Sequence, residues 1–226
     1  MARVARKLEP LEPRAVALST VVAAIEEDIV LGRLLPRERL VEDDLMVRFE
    51  AKRNVVRQAL IELERMGTVE RVPNRGAQVR SYTADQVQKL YDVREMLEMN
   101  AASMIPLPLN EPALEELRAI QRQHDAAVKA GDLKKVFRAN VAFHRALFAN
   151  CGNRYLSEAI NEFAHKAHVI RFHSLNQKRY VKSAREDHWA MIEALEKGDR
   201  KKLIDICRGH LLPSKVAYLK VAPRIE

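Results

Sequence analysis

Three histidines lie on the apolar stripes of three predicted helices, so their imidazoles are expected to face the protein interior. These residues are His144, His188 and His210. Neutral imidazoles that point inward from different helices of a bundle are common ligands of divalent metal ions. Asn140 precedes His144 by one helical turn and lies on the same side of its helix. This spacing predicts a candidate metal site.

The same pattern also fits histidines with a purely structural role. His124 shares an apolar stripe with Leu117 and Val128, so periodicity alone does not choose three ligands from four candidates. A core histidine that is satisfied by ordinary hydrogen bonds is also the commoner case. From spacing alone, both interpretations stay open.

A pair of arginines offers a second kind of chemistry. Arg53 and Arg57 are one turn apart on a predicted helix, and its apolar residues, such as Ala59 and Leu63, form a separate stripe. Both guanidiniums therefore share an outward face, which suits a DNA groove. The alternative is a solvated helix face on which the arginines pair with nearby acids such as Glu64.

The elements around these arginines are typical of a winged helix-turn-helix. A helix at 41–49 and a short connection lead into the arginine-bearing helix, which starts near Lys52 and ends at Gly67. Two alternating strands at 69–72 and 77–80 follow, with Arg75 at the tip of the turn between them. The hairpin is interpreted as the wing.

The chain before this unit divides into an arm and a helix. Residues 1–14 show no apolar periodicity, and we expect a flexible arm there. Apolar positions then repeat at helical spacing up to Gly32, and Ser19 or Thr20 is expected to cap this first helix.

Beyond the wing, the sequence predicts helices without a strand. Thr83 and Gln86 have the spacing of a capping box, and a domain boundary is expected at 80–82. Turn residues then separate six predicted helices, at 83–103, 110–131, 132–148, 155–173, 181–197 and 199–219. Asn110 is expected to start the second helix and Gly131 to end it, Asp132 and Asp199 to cap the third and the last, and residues 174–180 to form a loop. The predicted fold is mostly α, with a winged helix-turn-helix at 15–80 and an all-α helical bundle at 81–226.

Composition supports two modest domains of an intracellular protein. The chain has 226 residues, with two cysteines and no apolar leader, so a reducing cytoplasm without a membrane partner is expected. The net charge of +8 is not concentrated in residues 1–82, which hold 15 basic and 13 acidic side chains. Residues 48–80 carry eight basic and four acidic side chains, a local excess that is consistent with DNA binding.

The stretch from Leu18 to Val79 resembles the DNA-binding domain of the GntR family of bacterial transcription regulators. The match includes Leu40, Leu45, Arg53, Val56, Arg57, Ala59, Leu60 and Asn74-Arg75-Gly76. The resemblance implies a homodimer on a double-stranded DNA operator, with contacts from Lys52, Arg53, Asn54, Arg57, Asn74, Arg75 and Gly76. The family usually has Ser or Thr at Lys52 and often a basic residue at Asp43, so the operator sequence is left undefined.

The remaining chain resembles the FCD ligand-binding domain of the FadR branch of that family. The segments that match are 140–144, 151–153, 186–188, 198–199 and 209–211. The resemblance implies a divalent metal, most readily Zn or Ni, held by Asn140, His144, His188 and His210. Asn140 replaces the usual Asp, and a neutral amide oxygen is a weaker ligand than a carboxylate.

The resemblance also implies a small carboxylic acid effector beside the metal. Arg94 and Glu98 match the family's R-x-x-L-E pattern, and the Arg94 guanidinium can bind a carboxylate through two hydrogen bonds. A structural ion pair of Arg94 is the alternative. Arg171 is a second candidate for the same pocket.

A metal-dependent hydrolase with a three-histidine site is the alternative class of function. It needs a general base aimed at the metal-bound water, and Glu186 projects roughly opposite His188 on their helix. Since only a regulator uses both predicted domains, we expect a transcription regulator and not an enzyme.

Overall fold

The computed structural model describes residues 17–73 and 75–221. The arm expected at 1–14 and Asn74 of the wing therefore lie outside the described residues. Within them, the chain forms ten helices and one three-stranded sheet, which confirms the mostly α fold. None of these helices is both long and apolar enough to cross a membrane.

The N-terminal part is a winged helix-turn-helix, as predicted. Its elements are α1 (Leu18–Val30), β1 (Arg39–Leu40), α2 (Glu42–Phe49), α3 (Arg53–Met66), β2 (Val69–Val72) and β3 (Gly76–Val79). The strands are antiparallel in the order β1-β3-β2, so β1 extends the predicted hairpin by a third strand. Two residues are too few for an alternating pattern, which explains why β1 was not predicted.

The ends of these helices follow local chemistry in most cases. Gly67 ends α3 in the left-handed region at φ 80°, a conformation that costs glycine little. The expected cap of α1 by Ser19 or Thr20 is wrong, because α1 starts after Ala17 without a side-chain cap. Both residues lie inside its first turn.

The C-terminal part is a bundle of seven helices within the described residues. They are α4 (Ala84–Met104), α5 (Glu111–Ala130), α6 (Leu133–Ala149), α7 (Arg154–Lys166), α8 (His168–Leu175), α9 (Lys178–Lys197) and α10 (Arg200–Leu219). Thr83 and Gln86 form the predicted capping box at the start of α4. Asn110, Asp132 and Asp199 cap α5, α6 and α10 as expected.

The predicted helix at 155–173 is instead two helices, α7 and α8, that meet at Ala167. The loop predicted at 174–180 is present but shorter, at 176–177, since α8 continues to Leu175 and α9 begins at Lys178. The break lets the two helices bury residues in different cores. Ile160 of α7 packs inside the bundle, whereas Ile170 of α8 packs against the winged part.

The winged part and the bundle share a hydrophobic core. One cluster of buried residues joins Ile25 and Leu63 of the winged part to Ile170 and Leu211 of the bundle. Tyr218 fixes the chain between the two parts, because its hydroxyl donates to the Tyr82 carbonyl at 3.0 Å. Bundle helices, α8 among them, therefore contact the winged part directly.

Candidate metal centre and nucleic-acid interface

The three histidines at the predicted metal site come together inside the bundle. His144 of α6, His188 of α9 and His210 of α10 place their ring nitrogens within 4.8 Å of one another. His188 is fully buried, and the Nε2 atoms of His144 and His210 are 3.0 Å apart. The cluster thus brings together the three imidazoles that the resemblance to the FCD domain implies as metal ligands.

Hydrogen bonds on the far side of two rings define their tautomers. Gln121 donates its amide N–H to Asp125, so its oxygen accepts the Nδ1–H of His188 at 2.8 Å. The Asp187 carboxylate accepts the Nδ1–H of His210 at 3.0 Å. Both rings therefore turn an Nε2 lone pair toward the cluster, as in metal sites whose ligands are oriented by outer carboxylates and amides.

The electrostatic environment keeps the imidazoles of His144 and His188 neutral. Burial lowers the pKa of His144 and of His188 well below the ordinary value, and the neighbouring His210 lowers each further. Neutral imidazole is the form that coordinates metals. The buried Nε2 atom of His188 has no hydrogen-bond partner among the described residues, although such atoms are almost always satisfied. A metal ion at this point would satisfy it.

Asn140 and His124 lie at the edge of the cluster. Asn140 on α6 is 8% exposed and, together with His210, lines a cavity of about 80 Å³. Its amide nitrogen has no partner within the described part of the chain, so the side chain can rotate to present its oxygen. The His124 ring lies 5.2 Å from that of His188, and His124 is outside the group of three whose ligand atoms converge. Burial lowers the pKa of His124 to about 4.

Both candidate effector residues line the same cavity. Arg94 makes a buried ion pair with Glu98 on its own helix, with donor–acceptor distances of 3.1 and 2.8 Å. The structural alternative for Arg94 is therefore present, with its partner on α4 and not on a neighbouring helix. The second terminal nitrogen of Arg94, Nη1, is buried without a partner among the described residues.

Arg171 on α8 adds a second positive charge to the cavity wall. Burial, with a further effect of Arg94, lowers the pKa of Arg171 to about 10, so the side chain is still charged at pH 7. Its Nε atom is buried and lacks a partner within the described chain. Glu98 pairs with only one of the two guanidiniums, but the Asp187 carboxylate also lines the cavity. A bound divalent ion would therefore supply the excess positive charge that favours an anion.

On the winged part, the predicted recognition residues are exposed on α3. Arg53 donates to Asp43 at 2.6 Å, and Arg57 Nε donates to both oxygens of Glu42 at 3.0 and 2.9 Å. Glu64, which the sequence suggested as a partner, pairs with Arg71. Exposed ion pairs of this kind contribute little to stability, so DNA phosphates and base edges can replace the carboxylates.

A groove between the wing and α3 extends this basic surface. Four arginines line it beside Glu42 and Asp43, and these are Arg39, Arg57, Arg71 and Arg75. Lys52 and Asn54 are exposed at the start of α3, and Gly76 is exposed where β3 begins. Sequence reasoning missed Arg39 and Arg71, although both stand at exposed strand positions that alternate with less exposed ones.

Two known protein families match the two parts of this chain. A family model for "Bacterial regulatory proteins, gntR family" matches residues 18–79, and a model for the "FCD domain" matches residues 89–212. The two matching families are those of DNA-binding transcription regulators and not of enzymes. The chain belongs to the GntR family of bacterial regulators and carries an FCD domain.

Individual relatives are distant in sequence but cover most of the chain. The transcriptional repressor RspR of Escherichia coli is 24% identical, over 85% of this chain and 83% of its own length. A GntR regulator structure from Rhodococcus sp. RHA1 superposes with a TM-score of 0.75 at 21% identity, covering 91% of this chain and 99% of that one. The E. coli McbR structure gives a TM-score of 0.73 at 19% identity, with 91% and 98% covered. These structures share the fold.

Proposed function

We propose that this regulator holds a divalent metal ion, zinc or nickel, and that a small carboxylic acid bound beside the ion controls DNA binding. The ligands are His144, His188 and His210, with Asn140 as the fourth. The observation that carries the proposal is the convergence of these imidazoles beside a cavity lined by two arginines, Arg94 and Arg171. Imidazole nitrogens favour zinc and nickel over magnesium or calcium, which prefer oxygen ligands.

The charges of the site favour an anionic effector. Four neutral ligands leave the ion with its full +2 charge, and Arg171 adds a guanidinium whose buried Nε atom has no hydrogen-bond partner among the described residues. Burying such charge is costly unless a counter-ion accompanies it. A cavity of about 80 Å³ has room for several water molecules or one small acid. A dicarboxylate or hydroxy acid can contact the ion and a guanidinium together.

Helix α8 offers a route from this cavity to the DNA-binding part. Arg171 lines the cavity, and His168, one turn earlier on the same helix, hydrogen-bonds Glu26 of α1 at 2.7 Å. An effector that displaces Arg171 thereby acts on a helix that contacts the winged part. We assign residues 15–80 to operator binding and 81–226 to effector binding, in a cytoplasmic homodimer whose two wings read a near-palindromic site.

The test begins with enrichment and sequencing of genomic fragments that the protein retains. Binding to the enriched operator is then measured with metal-loaded and chelator-stripped protein, with and without small acids, at several salt concentrations. We expect operator affinity to change with an acid only when metal is present. An acid response of equal size in stripped protein would contradict the metal-linked mechanism.

A further inference from the structure

A second convergence of ligand-type side chains lies where the winged part meets the bundle. It consists of Glu26 on α1, His165 on α7 and His168 on α8, whose ligand atoms lie within 4.8 Å of one another. One oxygen of Glu26 is 3.0 Å from Nδ1 of His165 and 2.7 Å from Nδ1 of His168. Both rings therefore direct the same nitrogen to a single point.

We propose that these three residues form a second metal site, for zinc, that joins the DNA-binding part to the effector-binding part. Two imidazoles and one carboxylate are a known zinc ligand set, and the fourth position is then taken by water or another small ligand. In the observed contacts each Nδ1–H donates to the Glu26 carboxylate, so on metal binding each neutral imidazole shifts its proton to Nε2 and offers the Nδ1 lone pair to the ion.

The surroundings of the cluster hold the ligands in place without neutralising the carboxylate. Among the described residues, Glu26 forms ion pairs only with the two histidines, whereas the adjacent Glu27 is held by Lys134 and Arg138. The ring of Phe137 packs edge-on against His168 at 4.9 Å and fixes its plane. Burial keeps His168 neutral at pH 7, with its pKa lowered to about 4.

The cluster lies where an ion can reach it from solvent and where a bound ion would link the two parts of the chain. The side chain of His165 is 35% exposed, so an ion can enter from solvent, while His168 is buried. A metal here ties α1 directly to α7 and α8, and thus adds a stabilising link between the winged part and the bundle. Its site is separate from the three-histidine cluster, which contains no residue of the winged part.

To test this proposal, the full-length protein is stripped of metal with chelator, reloaded with zinc and dialysed. Metal analysis then gives the number of zinc ions per chain. We expect about two ions per chain in the parent protein and one fewer in Glu26→Gln and in His165→Gln, each of which removes a ligand while keeping a polar side chain. Glu162→Gln, the same change at an exposed position of α7, should bind as the parent does.

His144→Ala separates this proposal from the proposed function. In that variant the interdomain ion should remain and should raise the melting temperature on zinc addition, and the increase should vanish when Glu26→Gln is added. Equal zinc content in the parent, Glu26→Gln and His165→Gln would overturn the site and leave a hydrogen-bonded contact. Should the Glu26 and His165 variants not fold, Co²⁺ titration of folded His144→Ala decides, since absence of a cobalt–imidazole absorption band there would overturn the proposal.

Discussion

The Nε2 atoms of His144 and His210 lie 3.0 Å apart, although the two residues are 66 positions apart in the sequence. This separation fits one hydrogen bond, and it is close to the roughly 3.3 Å between two nitrogens bound to the same tetrahedral zinc. Because His210 already donates its Nδ1–H to Asp187, its Nε2 acts only as an acceptor or a metal ligand. A metal ion can thus replace this contact with little movement.

Loss of any one imidazole is expected to remove the ion from this cluster. His144→Ala, His188→Ala and His210→Ala should each lower the metal content by one ion per chain, because two imidazoles and an amide bind zinc weakly. His124→Ala is the matched control, since this buried histidine lies outside the converging set. The metal content is measured on the purified proteins. An unchanged metal content in all three variants would show that these histidines have a structural role and do not bind the ion.

Asn140→Asp should tighten metal binding, on the order of tenfold or about 1.4 kcal/mol, because a carboxylate adds a negative charge beside the ion. Competition with a chromophoric chelator measures the change. The same variant should bind a carboxylate effector less tightly, since the site then has less positive charge. Unchanged metal affinity would show that residue 140 does not coordinate the ion.

Many local features of the fold were predictable from sequence. The capping box of Thr83 and Gln86, the caps at Asn110 and Asp132 and the end of α5 at Gly131 all formed as expected. Each of these features depends on residues within about one helical turn, so the local sequence alone is enough to predict it.

Features that depend on tertiary packing were not predictable. On either side of the break at Ala167, Ile160 of α7 and Ile170 of α8 are buried in different clusters, an arrangement that no local pattern encodes. Periodicity placed four histidines on apolar stripes and did not separate His124 from the other three. That separation came from the resemblance to the FCD domain, and the relative positions of α5, α6, α9 and α10 explain it physically. The partner of His165, Glu26, is 139 residues away, so spacing did not reveal that cluster.

The recognition helix yields a prediction about DNA affinity. Arg53→Ala and Arg57→Ala should each weaken operator binding by about 1 to 3 kcal/mol, because a guanidinium that reaches a base edge is worth that much. Arg75→Ala at the wing should act more uniformly across sequences and reduce the salt dependence, as expected for a phosphate contact.

Arg65→Ala provides the control for these variants. Arg65 is exposed near the end of α3 and pairs with Glu62, so its loss should leave the operator affinity unchanged. Binding is compared by gel shift at matched salt, together with thermal melts that establish folding. Parent-like affinity of both Arg53→Ala and Arg57→Ala would show that another surface reads the operator.

The buried pair of Arg94 and Glu98 makes a prediction about stability. Both side chains are about 5% exposed or less, so Arg94→Met leaves a buried carboxylate without its partner and should cost about 3 to 5 kcal/mol. Adding Glu98→Leu should restore most of that loss, because a hydrophobic pair avoids the desolvation of two charges. Urea unfolding measures the free energy of unfolding of the single and the double variant. If Glu98→Leu does not relieve the destabilisation, Arg94 has another essential partner.

Arg171 gives the cleanest test of the effector, because Arg94 variants also change stability. Trp189, the only tryptophan, donates its Nε1–H to Asp125 at 3.0 Å, and Asp125 also holds the Gln121 amide that orients His188. Events at the metal should therefore alter its fluorescence. Titrating dicarboxylates and hydroxy acids should produce a change that chelator abolishes. Arg171→Ala should weaken binding of the acid by about 1.5 to 3 kcal/mol, the contribution of a hydrogen bond to a charged group.

Arg145→Ala is the matched control for this titration, since Arg145 follows His144 on α6 but is exposed. It should leave the affinity for the acid unchanged, and thermal melts with and without acid should agree with the fluorescence. Two results would contradict the charge argument. Equal acid binding by the parent and by Arg171→Ala would show that the guanidinium does not hold the acid. Tighter binding of a neutral sugar than of every acid tested would show that the site does not favour anions.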